Sequence, residues 1–317
     1  MIKRQNDRLF RLLAVGVALL LIIAGILVFS DCGGDDEWVA GSGTSDNADG
    51  SAASLNGAFA APAFRDGRYR MVSSVVNAED YNDGAGSTLY GYSSTTRYEY
   101  LLDITAFADG IKCVYTFDRI VGSSDDNGTG AGDTELDTAD KDAYTEELSP
   151  FYDLIGRSFT VQTDADCGSV SISGIDELLA AVPGANGLID EETMLSMARD
   201  LFYPLPQTFT DGTSWTVNSY GIDNEYSVKR LERGRFNVQI SGGESALPPP
   251  TTDANGYVTE YTSCAPLTGT LMLDQSDRAV QELSTFQRYS GSISDSEGYG
   301  YFFTVTASTN CTIVPEG

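Results

Sequence analysis

The stretch that decides the fold covers residues 156–215 and reads GRSFTVQTDADCGSVSISGIDELLAAVPGANGLIDEETMLSMARDLFYPLPQTFTDGTSW. Two runs that alternate like β-strands come first, at 158–163 and 169–173, with turn-forming residues between them. Helical sequence follows over 175–203, and the turn Asp211-Gly212 then leads into Trp215. Most of the chain on either side alternates like strand. The stretch therefore predicts a central helical insert between two β-rich halves.

The helices of the insert are predicted from the apolar period and the residues at their ends. Asp190 precedes two glutamates, which is typical of a helix N-cap followed by acids in the first turn. The apolar side chains after it recur at helical spacing on one face: Met194, Leu195, Ala198, Leu201 and Phe202. Pro204 ends this helix near residue 203, and a shorter helix is predicted over 176–182.

The N-terminal region has the pattern of a membrane anchor. Residues 1–11 hold four cations, and the 18 residues 12–29 that follow are uncharged. As a helix, this run is about 27 Å long, enough to cross a hydrocarbon core. Acidic residues come directly after it, which orients the N-terminus inside the cell. Residues 1–30 therefore predict a signal anchor, with the rest of the chain in the bacterial cell envelope outside the cytoplasm.

A second interpretation of residues 1–30 depends on Cys32. The segment VFSDCGG at 28–34 resembles the cleavage site of bacterial lipoproteins, in which a lipid is attached to the cysteine. Asp31 stands where that site has a small residue. The alternatives are thus a retained anchor and a lipoprotein signal with lipidation at Cys32. Either way, residues 31–60 are rich in Gly, Ser, Asp and Ala and predict a flexible tether.

Residues 61–317 predict one exported β-rich domain, with halves 61–174 and 204–317 around the helices at 175–203. In the first half, runs at 96–106 and 112–121 flank Asp109-Gly110 and predict a hairpin, whereas the acidic segment 123–147 predicts a solvated loop. In the second half, runs at 267–274, 280–289 and 300–308 predict an antiparallel meander. The fold class is α+β and mostly antiparallel β, built either as two sheets or as two halves of one curved sheet, after one N-terminal transmembrane or signal segment.

Charge and composition limit the function. The chain contains no histidine, which is the commonest general base and transition-metal ligand. Its formal charge is −27, which opposes binding to nucleic acid. No spacing of side chains indicates a catalytic residue, a metal site or a cofactor, so an enzyme is not expected. A glycosidase that uses two of the 46 acids ranks last among the alternatives.

Four cysteines follow Cys32: Cys113, Cys167, Cys264 and Cys311. An even number in an exported chain favours disulfides, and four cysteines allow three connectivities. The prediction is Cys113–Cys167 with Cys264–Cys311, one bond in each half.

Several short motifs, taken in order, resemble a family of bacterial envelope proteins known as domain of unknown function 6263. They are DCGSV at 166–170, IDEL at 175–178, YPLP at 203–206, DGTSW at 211–215 and TGTLMLD at 268–274. The resemblance implies an exported and often lipid-anchored protein, and it implies no catalytic residues.

Two functions compete at this point. The first is a membrane-tethered binding module that holds an apolar or lipid ligand between the curved sheet and the helices, lined by Met194, Met197, Leu201 and Phe202. The same four residues also fit an ordinary packed core. The second is a structural or interaction protein of the envelope without a small-molecule ligand.

Overall fold

The computed structural model describes part of the chain between residues 59 and 316. The described residues are 59–60, 64–83, 87–127, 134–165, 167, 169–186, 188–199, 201–202, 205–206, 210–219, 222–232, 234–243, 247, 250–252, 257–274, 279–294 and 300–316. The predicted anchor, the tether up to residue 58 and Cys32 lie outside these ranges. Within them, no helix is both long enough and apolar enough to cross a membrane.

Strands dominate the described residues, and three short α-helices accompany them. The strands are β1 (Phe59–Ala60), β2 (Gly67–Asn82), β3 (Thr88–Phe107), β4 (Gly110–Asn127), β5 (Thr134–Asp137), β6 (Ser158–Asp164), β7 (Val170–Ser173), β8 (Leu205–Pro206), β9 (Ser214–Ser219), β10 (Ile222–Glu232), β11 (Arg235–Gly242), β12 (Thr251–Thr252), β13 (Val258–Cys264), β14 (Thr268–Asp274), β15 (Val280–Ser294) and β16 (Gly300–Pro315). The helices are α1 (Ser149–Leu154), α2 (Ile175–Ala181) and α3 (Glu191–Arg199), with 3-10 turns at Lys141–Ala143 and Pro183–Ala185.

One large curved antiparallel sheet contains nearly all of these strands. Its order is β7-β6-β4-β3-β2-β16-β15-β14-β11-β10-β9, with β5 beside β4, β12 beside β13, and β13 beside β15. The last strand, β16, pairs with β2 from Tyr69 opposite Pro315 to Asn82 opposite Phe302. This pairing joins the two halves, so of the two predicted arrangements the one with two halves of a single curved sheet is confirmed, and the one with two separate sheets is wrong. The meander of β14, β15 and β16 is confirmed as well.

The hairpin predicted around Asp109-Gly110 is present, but its strands are much longer than the sequence pattern indicated. β3 has 20 residues and β4 has 18. A side chain at Gly110 would place its Cβ 1.8 Å from the carbonyl oxygen of Thr163, so β6 approaches the hairpin closely at this glycine. The prediction of a solvated loop over 123–147 is wrong in part, because β4 continues to Asn127 and β5 pairs with it.

The helices of the insert form close to where they were predicted. The N–H of Met194 donates to the carbonyl oxygen of Asp190, and α3 ends at Arg199, earlier than expected. Helix α1 was not predicted. The helices contact one end of the sheet, where α1 contacts β4, α2 contacts β6 and α3 contacts β7.

We call the face of the sheet that carries Met71, Tyr100 and Tyr115 the inner face. These three side chains are fully buried in a hydrophobic cluster that also contains residues of the helices. Stacked and tilted rings form its centre: the centroids of Tyr115 and Phe159 lie 4.9 Å apart, as do those of Tyr100 and Phe117. Such rings bury large apolar areas and add favourable edge and face contacts. The sheet and the helical insert thus share one core.

The predicted disulfides are wrong, because Cys113, Cys167, Cys264 and Cys311 form no disulfide bond in the structure. Cys264 lies opposite Tyr289 of β15, and Cys311 lies opposite Leu283 of the same strand. Six residues of strand separate these positions by about 20 Å, whereas a disulfide needs Cα atoms within about 7 Å. Cys167 lies in the turn after β6, where its thiol is 3.8 Å from the Thr163 hydroxyl oxygen. Burial raises the pKa of the Cys113 thiol, which keeps it protonated.

Candidate ligand site on the inner face of the sheet

The residues predicted to line an apolar ligand are part of the core. Met194 and Met197 lie on α3, and Leu201 and Phe202 follow it; their exposed fractions are 3%, 8%, 0% and 0%. The ring of Phe202 contacts that of Phe64 edge-on at 5.7 Å. Burial of this kind is needed for a packed core and for an enclosed ligand alike. A ligand between sheet and helices therefore stays a prediction.

Further along β2, the inner face becomes polar. Every second residue from Tyr69 to Tyr81 is buried, which places Asn77, Glu79 and Tyr81 on the same face as Met71. Their cross-strand neighbours are Ser94, Tyr92 and Tyr90 on β3, and Ala307, Val305 and Phe303 on β16. The polar region is thus a continuation of the face that forms the core.

Glu79 is a buried carboxylate in this polar region. Its exposed fraction is 6%, and the hydroxyl of Tyr81 donates a hydrogen bond of 2.7 Å to its carboxylate. Among the described residues, no arginine or lysine forms an ion pair with Glu79. Burial raises the pKa of the Glu79 carboxyl, and the hydrogen bond from Tyr81 offsets only part of that shift.

Aromatic rings surround this carboxylate. Tyr81 stacks on Tyr90 with centroids 4.4 Å apart, and Tyr301 meets Tyr81 edge-on at 5.4 Å. Across the face, Tyr261 of β13 lies edge-on to Phe303 at 5.6 Å. Burial, and then the charge of Glu79, raises the pKa of Tyr81 and Tyr261. We call Glu79, Asn77 and the rings of Tyr81, Tyr90, Tyr261, Tyr301 and Phe303 the inner-face site.

A glycine makes room for one of these rings. Gly291 lies opposite Phe303 on β15, and a Cβ at this position would be 2.6 Å from the Phe303 ring and 2.3 Å from the carbonyl oxygen of Glu260. The lack of a side chain lets Phe303 lie over the strand and face Tyr261.

Asn77 is the second unusual polar group of the site. Its exposed fraction is 4%, and both its amide nitrogen and its amide oxygen are buried without a hydrogen-bond partner. Gln287 is equally buried nearby on β15, but its amide nitrogen lies 3.3 Å from the carbonyl oxygen of Ala265, to which it donates. Because buried polar groups almost always have partners, Asn77 is an exception that needs an explanation.

The other buried glutamate of the sheet, Glu99, shows how a purely structural carboxylate is accommodated. Glu99 lies on the outer face with an exposed fraction of 6%, the same as Glu79. It forms ion pairs with Arg70, at 3.4 Å, with Arg97, and with Arg119, at 3.8 Å. The two carboxylates are equally buried in one sheet. Among the described residues, Glu99 is paired with three arginines, whereas Glu79 is paired with no cation.

The inner-face site was not predicted from the sequence. Asn77 and Glu79 are polar and interrupt the apolar alternation of β2, so the local pattern does not mark them as buried residues. The signal was present, since both residues keep the phase of Tyr69 and Met71. In the described ranges, no group of three or more Cys, Asp or Glu side chains is placed to hold a metal ion.

Solved structures with a distant likeness to the chain include three from different classes of protein. No family model matches the sequence, and no curated protein matches it. A lipovitellin structure that describes lipid–protein interactions is 8% identical with a TM-score of 0.47, covering 80% of this chain and 25% of that one. An outer membrane channel from Pseudomonas putida F1 is 11% identical with a TM-score of 0.24, covering 80% and 97% of the two chains. The transport unit of the autotransporter AIDA-I from Escherichia coli is 8% identical with a TM-score of 0.18, covering 80% and 91%. Likenesses at this level assign no ligand to the chain, which spans only a quarter of the lipovitellin structure.

Proposed function

We propose that this protein is a binding module of the bacterial cell envelope and that it holds its ligand at the inner-face site. The observation that carries the proposal is the burial of Glu79 and Asn77 side by side, with no cation at Glu79 and no hydrogen-bond partner at Asn77 among the described residues. Each unpaired buried polar group costs about 1–3 kcal/mol, and an unpaired charge costs more. Glu99 in the same sheet avoids that cost through three arginines. Groups that weaken a fold in this way are expected where a ligand completes their interactions.

The proposed role is binding and not catalysis. A glycosidase needs two carboxyl groups on either side of the bond that it breaks. Burial raises the pKa of the Glu79 carboxyl and the hydrogen bond from Tyr81 lowers it, and no second carboxylate among the described residues contributes to the shift. The chain also has no histidine to serve as a general base.

The cellular location of the module is part of the proposal. Residues 1–30 would anchor it as a signal anchor or as a lipoprotein signal, and residues 31–60 would hold the domain away from the membrane. The resemblance to domain of unknown function 6263 supports the same location in the cell envelope. Intact-mass analysis of the membrane fraction distinguishes the anchors: an unprocessed N-terminus supports the signal anchor, and a chain that begins at Cys32 with added acyl mass supports the lipoprotein.

Fluorine NMR tests the location of the site. The full-length protein is labelled with 3-fluorotyrosine in maltoside micelles, and its signals are assigned with single Tyr→Phe variants. Small cationic, anionic and neutral compounds are then added. We expect at least one class to shift Tyr81, Tyr90, Tyr261 and Tyr301 while Tyr144, which is 51% exposed, stays in place. If no compound shifts these four signals selectively, the proposal is wrong.

A second candidate ligand is apolar and lies between the sheet and the helices. Met194 and Met197 favour it, because thioether side chains adapt readily to different apolar shapes. Native mass spectrometry distinguishes the two locations. A lipid adduct that survives Glu79→Gln unchanged supports the helix-covered location. A mass without any adduct, together with unshifted tyrosine signals, supports the structural or interaction role.

A further inference from the structure

We infer that the inner-face site recognises a substituted ammonium group, bound by the Glu79 carboxylate inside the ring cluster and hydrogen-bonded by Asn77. This inference rests on the proposed function and names the chemical class of its ligand.

The carboxylate supplies the first argument. Glu79 is buried, and the hydroxyl of Tyr81 donates a hydrogen bond to its carboxylate. A cation bound beside it would supply the counter-charge that the arginines supply to Glu99 on the outer face. An opposite charge within a few ångströms favours the ionised carboxylate and makes its burial tolerable. An anionic ligand would instead add a second unpaired negative charge.

The rings supply the second argument and favour an organic cation. Ammonium groups bind to the faces of aromatic rings within about 6 Å of the centroid, and cages of such rings recognise quaternary ammonium groups. Tyr81, Tyr90 and Tyr301 lie within 6.1 Å of one another, centroid to centroid. Hard metal ions prefer six or more oxygen ligands, and the described residues offer one carboxylate and one amide here.

Asn77 extends the description of the ligand. It lies two residues from Glu79 on the same face of β2, which separates their Cα atoms by about 6–7 Å. Its amide offers a donor and an acceptor, and both are without partners. A ligand with its ammonium group at Glu79 therefore carries a hydroxyl or ester oxygen a few bonds away, within reach of Asn77. The formal charge of −27 also attracts cations to the molecule.

Choline and its uncharged isostere 3,3-dimethylbutan-1-ol are suitable probes, because they match in shape and differ in charge. Binding of each is measured by fluorine NMR on the full-length protein labelled with 3-fluorotyrosine in maltoside micelles. We expect choline to shift the signals of Tyr81 and Tyr90 and to bind at least tenfold more tightly than the isostere. Glu79→Gln should weaken choline binding at least tenfold, and Tyr90→Leu should weaken it severalfold. Glu282→Gln, at an exposed carboxylate of β15, should not change it.

Glycerophosphocholine identifies the source of the ammonium group. If it binds as tightly as choline, the natural ligand is a lipid headgroup, and if only choline binds, it is a small free cation. Both results support the inference. Near-UV circular dichroism shows whether each variant is folded. If Glu79→Gln does not fold, the loss of choline affinity in Tyr90→Leu serves as the test of the site.

Three results would overturn the inference. Equal binding of choline and its isostere would show an uncharged ring pocket, and the inner-face site would stand without the charge assignment. Full choline affinity in folded Glu79→Gln would remove the carboxylate from recognition. Absence of any choline-induced shift would reject the ammonium ligand, and the proposed function would then stand or fall on the other compounds of the screen.

Discussion

Replacing Glu79 by Gln should stabilise the unliganded protein at pH 8 and have little effect on its stability at pH 4. Gln keeps an oxygen that accepts the hydrogen bond from Tyr81 but carries no charge. Since Glu79 is buried and no described arginine or lysine pairs with it, ionisation destabilises the wild-type fold. The variant does not ionise.

The direction of the pH effect follows from the raised pKa. A glutamate in the unfolded chain has a pKa of about 4.3. In the folded protein, burial raises the pKa of Glu79 above that value, so the folded state holds the proton more tightly. Wild-type stability therefore falls as the pH rises from the unfolded pKa through the folded pKa. Burial also raises the pKa of the neighbouring Tyr81, Tyr90, Tyr261 and Tyr289, so these hydroxyls stay protonated over the same range.

The expected gain at pH 8 is about 1–2 kcal/mol in the free energy of unfolding. An unpaired buried polar group costs about 1–3 kcal/mol, and the new amide N–H groups of Gln reduce the gain because they also lack acceptors. The gain should shrink toward zero near pH 4, where the wild-type carboxyl is protonated in the folded state and mostly protonated in the unfolded state.

Urea unfolding of the full-length protein in maltoside micelles measures this difference, with the fluorescence of buried Trp215 as the signal. Glu282→Gln on β15 is the matched control, since Glu282 is exposed. This substitution should change the free energy of unfolding little at either pH 8 or pH 4. A variant that is less stable than wild type at pH 8, or a difference that does not change with pH, would refute the account of Glu79 as an unpaired buried carboxylate.

Three further predictions follow from the same structure. Tyr100→Phe should stabilise the fold by about 1 kcal/mol, because the Tyr100 hydroxyl is buried without a partner, and urea unfolding that shows a loss would contradict this. Gly291→Ala should destabilise the fold by at least about 2 kcal/mol and shift the fluorine NMR signal of labelled Tyr261. Gly122→Ala is the control and should be tolerated, because its new Cβ would lie 3.6 Å from the nearest neighbouring atom. In a Cys32→Ser chain, thiol titration without reductant should find four thiols after unfolding. In the native state, only Cys264 should react rapidly, because the other three cysteines are buried. Fewer than four thiols in the unfolded chain would support the predicted disulfides.

The order and type of the helices and strands between residues 156 and 215 could be predicted from the sequence. Helices α2 and α3 and strands β6 and β7 form within a few residues of the predicted bounds, because local apolar period, caps and proline stops act over only a few residues. The meander of β14, β15 and β16 could be predicted for the same reason, since short connections leave adjacent pairing as the simplest arrangement.

The pairing of β16 with β2 could not be predicted from local pattern. It joins residues such as Arg70 and Val314 that are far apart in the chain, and it decides that the two halves form one sheet. The disulfide prediction failed for a related reason. Counting cysteines gives their number, but the strand register sets the distance between them, and it places Cys264 and Cys311 at different levels of β15.

The sequence by itself determined the anchor pattern, the acidic charge, the lack of histidine and the alternation of strands around a helical insert, because each depends on composition or on neighbours in the chain. The inner-face site was decided by tertiary structure. Asn77 and Glu79 are only polar interruptions of an alternating run when β2 is considered alone, and they become buried because β3, β15, β16 and β13 bring rings such as Tyr90 and Tyr261 onto the same face. Burial is a property of strands assembled from distant parts of the chain, and burial gives Glu79 its raised pKa and Asn77 its unpaired amide.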